Sequence, residues 1–299
     1  MRFIIFGAGA LGSLFGALLS THHDVLLVGR KKHMEVIKEK GLKIEGITEG
    51  VFYPETEWDG SRYDIVILTT KAYDTEKAGG EILKKFGKMP VLSLQNGLRN
   101  EKILAEVIGD EYVIGGVTSH GATFLEYGKI RHAGVGETII GEIDGKITDR
   151  IKNIAEAFNK CGIETKISRN IKNEIWRKAV VNAAINGLTA LLKCKNGFLL
   201  ENRNAEILLE KICRECIKVA RAEGIEIGEE IIDKTKEVAE KTADNISSML
   251  QDLLKSRKTE IEEINGEFVR IARKHGVEAC MNEFLTLAIK AMESVRHLG

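Results

Sequence analysis

Proline is scarce in this 299-residue chain, with two in all and none beyond residue 170. Its absence there removes the residue that most reliably breaks a helix, and nearly everything past residue 170 is helix-compatible. The five cysteines are an odd number without framework spacing, which excludes a disulfide scaffold and suits a reducing compartment. Cys213 and Cys216 form a CREC pair, but no second CxxC or neighbouring histidine completes a zinc set, so they read as ordinary helical cysteines and no metal is expected. Charge of either sign is not in excess: 44 basic residues balance 44 acidic ones. That balance gives no electrostatic reason to expect nucleic acid or a membrane surface as partner, although it leaves room for a local basic pocket. The longest uncharged stretch near the start, residues 3–19, is glycine-rich and runs straight into another strand-like segment. It falls short of the ~20 apolar residues of a membrane span and makes a poor signal peptide, so a cytoplasmic protein is expected.

What is present is a soluble globular composition, 43% hydrophobic and 29% charged, over a length that suits two domains. The first half alternates strand and helix signals. RFIIFG (2–7), DVLLVGR (24–30), DIVILTTK (64–71) and PVLSLQNG (90–97) read as buried strands, with helical text at about 10–21, 31–40 and 74–86. Such alternation predicts βαβ units and a mostly parallel sheet. The texture changes over residues 112–143, where glycine-punctuated strands predict a mixed or antiparallel extension of that sheet. A helix near 148–161 and a strand near 164–168 close this half. The expected fold is therefore an α/β Rossmann-like domain, residues 1–167, followed by an all-α domain, residues 168–299, with no flexible linker, internal repeat or low-complexity tract.

The stretch GAGALG, made of Gly7, Ala8, Gly9, Ala10, Leu11 and Gly12, fits G-x-G-x-x-G. Alone the pattern is weak. Here it follows a predicted strand and opens a predicted helix, which is the context of dinucleotide binding. Gly7 suits the tight turn, Gly9 the approach of a pyrophosphate and Gly12 close helix–strand packing, while the helix N-terminus offers free N–H groups. At the end of the second strand, where NAD sites usually carry Asp or Glu, this chain has Arg30, then Lys31 and Lys32. A guanidinium pairs with a 2′-phosphate that a carboxylate would repel, so NADP(H) is favoured. Lys71 in TTKAYD and Asn96 in LQNG stand at two further strand ends on the edge where open α/β sheets bind ligands, though Asn-Gly is also ordinary turn chemistry.

WRKAVVNAAINGLTAL (176–191) sets Lys178, Asn182 and Asn186 four residues apart, one stripe on an otherwise apolar helix. A lysine there either snorkels to solvent or loses hydration, which lowers its pKa and makes it a usable acid or base. Three polar residues in one register suggest the wall of a wet cleft. Ser247, Ser248 and Glu260 form a second polar patch in helical text, where a glutamate is ordinarily an exposed residue.

With these motifs in order, the chain resembles the 2-dehydropantoate 2-reductase (ketopantoate reductase) family over essentially its whole length. The resemblance rests on GAGALG at 7, Arg30, TTKAYD at 69, QNG at 95, TSHGA at 118, EIWRK at 174, VNAAINGLTAL at 181, CKNG at 194, NISSMLQD at 245 and TEIEEING at 259. It implies NADPH-dependent reduction of ketopantoate to (R)-pantoate in pantothenate and coenzyme A biosynthesis. Lys178 then matches the general acid, Glu260 a glutamate that holds substrate and cofactor, and Asn182 and Asn186 substrate-binding residues. Asn196 and Ser248 match further positions near the substrate, Asn96 one between nicotinamide and substrate, and Lys71 and Ala122 cofactor contacts. A homodimer formed through the helical domain is also implied. Gly187 departs from members that carry proline there, without loss of a functional group. Two rivals remain: a reductase of another small 2-oxo acid, and a non-catalytic NADP-binding regulator, against which the intact Lys178, Asn182, Asn186 and Glu260 set argues.

Overall fold

The computed structural model describes residues 1–295, and the chain divides into two compact units. One comprises Met1–Gln95 with Asn100–Glu174; the other comprises Asn96–Arg99 with the chain from Ile175 onward.

The first unit holds β1 (Arg2–Phe6), α1 (Ala10–Leu19), β2 (Asp24–Val28), α2 (Lys31–Lys40), β3 (Leu42–Gly46), β4 (Gly50–Phe52) and β5 (Ile65–Leu68). It continues through α3 (Thr75–Phe86), β6 (Val91–Ser93), α4 (Asn100–Ile108), β7 (Val113–Thr118), β8 (Gly121–Glu126), β9 (Lys129–Gly134), β10 (Thr138–Glu142), α5 (Asp149–Lys160) and β11 (Thr165–Ile167). The main sheet runs β11-β10-β7-β6-β5-β1-β2. Every neighbouring pair is parallel except β10 with β7. Its central strands are apolar throughout because both faces are covered. Successive side chains alternate between the two: Phe3 and Ile5 enter one core, Ile4 and Phe6 the other. The α5 helix starts where Thr148 Oγ1 accepts from the Ile151 N–H.

The expectation for residues 112–143 needs correction. Strands β7 and β10 do extend the main sheet, but β8 and β9 leave it for a second, four-stranded sheet of order β4-β3-β9-β8. Strands β3 and β4 have no counterpart among the strands expected from the sequence. The reason is range: Ile44 on β3 pairs with Ile130 on β9, and local alternation does not say which distant strand will be the partner.

The second unit is helical: most of α6 (Ile171–Leu192), then α7 (Phe198–Glu201), α8 (Arg203–Ala222), α9 (Glu230–Lys241), α10 (Ser248–Leu254), a π-helical turn at Glu262–Gly266, α11 (Glu267–His275) and α12 (Cys280–Ser294). The apolar faces of α6 contribute to the core of the unit. Trp176 meets Phe268 edge to face at 5.7 Å, and Ala179, Val180, Ala183, Ala184 and Leu188 pack with Leu209, Ile212 and Phe268. All five cysteines are free. Burial pushes the Cys213 thiol up to about 11 and that of Cys216 well above its usual range, so both stay protonated and unreactive. Among the described residues no helix is long and apolar enough to cross a membrane.

Candidate active site

The carboxyl end of β1 is a cradle built from its glycines. Gly7 has φ +110, and a Cβ there would lie 2.5 Å from the Thr70 nitrogen. Only glycine suits that turn. The Gly7 and Ala8 N–H groups both donate to the Val28 carbonyl, at 2.9 Å each, tying the turn to the end of β2. A Cβ on Gly12 would stand 2.5 Å from both the Gly7 carbonyl oxygen and Thr69 Oγ1, so this glycine lets α1 pack against β1 and β5.

Gly9 is different. Its φ of −85 is open to any residue, and among the described residues a Cβ would meet nothing nearer than the Gly7 oxygen at 3.8 Å. Neither backbone nor packing asks for glycine there, which points to something outside the chain that must come close. Gly9 also provides no side-chain cap, and the first backbone bond at the helix start runs from the Ser13 N–H to the Gly9 carbonyl. The N–H groups of Ala10, Leu11 and Gly12 are thereby left at the positive end of α1. This cradle fits a dinucleotide pyrophosphate. It also lies at the topological switch point, where β1 has β2 on one side and β5 on the other. Arg30, exposed, follows β2 as the N-cap of α2, and no carboxylate accompanies it in GRKK. Lys71 precedes the 3-10 turn Ala72–Asp74 after β5, and Ala122 on β8 packs against the core of this unit.

The turns after β5 and β6 are joined by a buried polar network that local sequence patterns do not reveal. Gln95 Nε2 donates to the Thr70 carbonyl at 3.1 Å and Thr70 Oγ1 at 3.0 Å, and Thr75 Oγ1 donates to Asn100 Oδ1 at 2.9 Å. Beside it stands Glu101, half-buried as a residue but with its carboxyl desolvated. Burial pushes that carboxyl up to about 7, against the pull of its own N–H and the Ser93 hydroxyl. A carboxyl raised from 4.5 holds its proton in the folded chain over a window where the unfolded chain has released it. Stability from this group is therefore complete below about pH 4.5 and is lost as pH rises through about 7. Glu101→Gln is expected to remove that slope and raise Tm at pH 8 by a few degrees, read by thermal melts at pH 5 and pH 8. An unchanged pH dependence would refute the assignment.

The second unit carries the other group of candidate residues. Asn96 heads the segment Asn96–Arg99 that belongs to it. Its Nδ2 donates to Glu260 Oε2 at 3.3 Å, and its Oδ1 accepts from Asn182 Nδ2 at 3.4 Å. Lys178, one turn before Asn182 on α6, is desolvated strongly enough to push its pKa down to about 8, with the buried Glu260 carboxylate opposing the shift. As a whole residue Lys178 is half-buried, and desolvation is the largest cause of its lowered pKa. Asn186 is buried one turn further along the same stripe. The structure thus brings Lys178, Asn182, Asn96 and Glu260 together.

Two other predicted residues are placed differently. Asn196, in the turn after α6, uses Nδ2 on Thr242 Oγ1 at 2.8 Å, and its buried Oδ1 has no partner among the described residues. Ser248 is the exposed first residue of α10, while the neighbouring Ser247 is the buried cap, accepting from the Leu250 N–H at 3.2 Å and from Thr189 Oγ1 at 2.7 Å. Among the described residues no group of three His, Cys, Asp or Glu side chains is arranged to hold a metal ion.

The family description "Ketopantoate reductase PanE/ApbA" matches residues 3–145, and "Ketopantoate reductase PanE/ApbA C terminal" matches residues 170–293. The chain belongs to the ketopantoate reductase family. It is 40% identical to the 2-dehydropantoate 2-reductase of Pyrococcus abyssi, covering 99% of each chain, and 38% identical to that of Archaeoglobus fulgidus, covering 98% of each. Among solved structures it is similar to a D-mandelate dehydrogenase in ternary complex with NADH and anilino(oxo)acetate, with a TM-score of 0.93, 32% identity and 98% of each chain covered. Family membership makes the protein an oxidoreductase of nicotinamide-dependent type.

The only local signal for Gln95, Thr75 and Asn100 is that they are polar residues at strand and helix ends. Their mutual bonds join positions 20 and 25 residues apart, which periodicity does not report.

Proposed function

We propose that this protein reduces 2-dehydropantoate to (R)-pantoate with NADPH, serving pantothenate and coenzyme A biosynthesis, with Lys178 as general acid. The observation that carries the reading is the Lys178 ammonium, brought to a pKa of about 8 and grouped with Asn182, Asn96 and Glu260. When bound, NADPH supplies a hydride for the substrate's carbonyl carbon. Lys178 Nζ gives a proton to the carbonyl oxygen as negative charge develops there, and a pKa near 8 lets it recover that proton from water at neutral pH. The amides of Asn96, Asn182 and Asn186, together with Asn196 and Ser248, suit the carboxylate and hydroxyl of the substrate. Glu260 holds Asn96 by accepting from its amide, and its charge raises the Lys178 pKa against the pull of desolvation. Residues 7–12, Arg30, Lys71 and Ala122 are the proposed cofactor contacts, with Asn96 and Glu260 at its nicotinamide end. In this reading residues 1–167 serve the cofactor and residues 168–299 the substrate and a homodimer contact in the cytoplasm.

The test is NADPH oxidation with ketopantoate, run beside NADH and a close 2-oxo acid analogue. The expected outcome is turnover with NADPH and ketopantoate that exceeds either alternative pairing. A second reading, reduction of another small 2-oxo acid with NADH, is favoured by the likeness to the D-mandelate dehydrogenase and its NADH. Faster turnover of an aryl 2-oxo acid with NADH would establish it in place of the first.

A further inference from the structure

The guanidinium of Arg30 lies over aromatic rings rather than against a carboxylate. Its central carbon lies 5.0 Å from the ring centroid of Phe124 and 5.7 Å from that of Tyr127, both carried on the β8–β9 hairpin of the second sheet. Lys32 Nζ lies 5.1 Å from the same Tyr127 ring, and the two aromatic rings meet edge to face at 6.0 Å. Among the described residues no carboxylate pairs with Arg30. A cation–π contact with an aromatic ring uses none of the guanidinium's N–H donors, which stay available for an anion. A carboxylate partner would have neutralised the group that a second anion needs.

The hairpin is fixed in place by buried bonds. At its turn, Gly128 has φ +77 and donates its N–H to His33 Nδ1 at 2.9 Å. His33 Nδ1 is thereby the acceptor, so Nε2 carries the proton and donates to Ser13 Oγ at 3.0 Å. Burial and the charge of Arg30 hold His33 down at about 4, so it stays neutral at working pH. Ser13 follows Gly12, the last glycine of the cradle, on α1, and His33 stands in the first turn of α2, just after Arg30. One buried imidazole therefore ties the hairpin to both helices that flank the cradle.

We propose that Phe124 and Tyr127 are specificity-determining positioning residues: they orient Arg30, with Lys32 beside it, to receive a phosphate monoester on the cofactor's adenosine ribose. This rests on the NADPH reading above. A free arginine loses considerable rotamer freedom when it clamps a ligand, and one already held over aromatic rings has lost much of it beforehand. The rings touch no part of the ligand in this account; they act through Arg30.

The test uses the full chain and two probes, calorimetric binding of 2′,5′-ADP and the dissociation constants of NADPH and NADH. Arg30→Ala is expected to weaken NADPH and 2′,5′-ADP by about 10–100-fold and NADH hardly at all. Tyr127→Leu and Phe124→Leu should each weaken the two phosphate-bearing ligands by about 3–10-fold, spare NADH, and add nothing in the Arg30→Ala background. Tyr127→Phe, which keeps the ring, should retain affinity. Tyr127 is exposed, so its variants guard against a folding defect at half-buried Phe124. Equal losses of NADPH and NADH in Arg30→Ala overturn the NADPH reading and the platform with it. A selective loss in Arg30→Ala with inert leucine variants overturns the platform alone, as does a leucine effect that persists without Arg30.

Discussion

Lys178→Ala is expected to lower turnover by about 10²–10⁴-fold, the usual contribution of a positioned proton donor. The expectation follows from three features of the second unit. Lys178 shares the polar stripe of α6 with Asn182 and Asn186, and Asn182 reaches Asn96 at 3.4 Å. Desolvation has brought the ammonium to about 8, where it gives and regains a proton readily near neutral pH. Glu260 opposes that shift and keeps the group from becoming neutral too early. The pH profile carries a second, independent readout. Reduction requires the protonated lysine, so turnover should fall as pH rises through about 8, and the reverse oxidation should gain over the same window. Binding of the dinucleotide should change little in the variant, because Lys178 is not among the proposed cofactor contacts. Steady-state turnover within about tenfold of the parent would remove Lys178 from the acid's role.

The second large effect separates two glycines of one motif. Gly12→Ala places a Cβ 2.5 Å from the Gly7 carbonyl and from Thr69 Oγ1, and 3.1 Å from Ile5 Cγ2. A backbone oxygen in a tight turn has little room to yield, so overpacking there should cost about 1–3 kcal/mol or more and displace the turn. Both Tm and NADPH affinity should fall. Gly9→Ala meets nothing nearer than 3.8 Å among the described residues and sits at an ordinary φ of −85, so its Tm should stay close to the parent's. Its NADPH affinity should nonetheless drop by at least about tenfold, because the methyl group occupies the approach of the pyrophosphate. Melting curves and fluorescence titration with NADPH read the two effects separately. Undiminished binding by Gly9→Ala would show that the open space above residue 9 is not the cofactor's.

The two glycines also mark how far the site is legible in the sequence. GAGALG announces a strand–turn–helix, and the structure has β1, the turn and α1 where the motif puts them. The motif already assigns Gly7 to the turn, Gly9 to a pyrophosphate and Gly12 to packing; the structure adds how near the neighbours of each absent Cβ stand. Spacing of four places Lys178, Asn182 and Asn186 on one helical face, since helix period is a local property. That Glu260, 82 positions after Lys178, lies near enough to raise its pKa is beyond any local pattern. Ser247 and Ser248 are equivalent as text, yet one is a buried cap and the other exposed.

Sequence by itself determined the α/β first half, the helical second half, the glycine motif and the polar stripe, because each depends on residues within a few positions of one another. Tertiary structure alone decided the second sheet, whose β3–β9 pairing joins segments 86 positions apart at Ile44 and Ile130. It also decided the grouping of Asn96 with Asn182 and Glu260, and the placing of Arg30 over the Phe124 ring. Such contacts form between segments that are apolar or polar in the same way as many others in the chain. Which of them meet is settled by the packing of the whole core rather than by any stretch read alone.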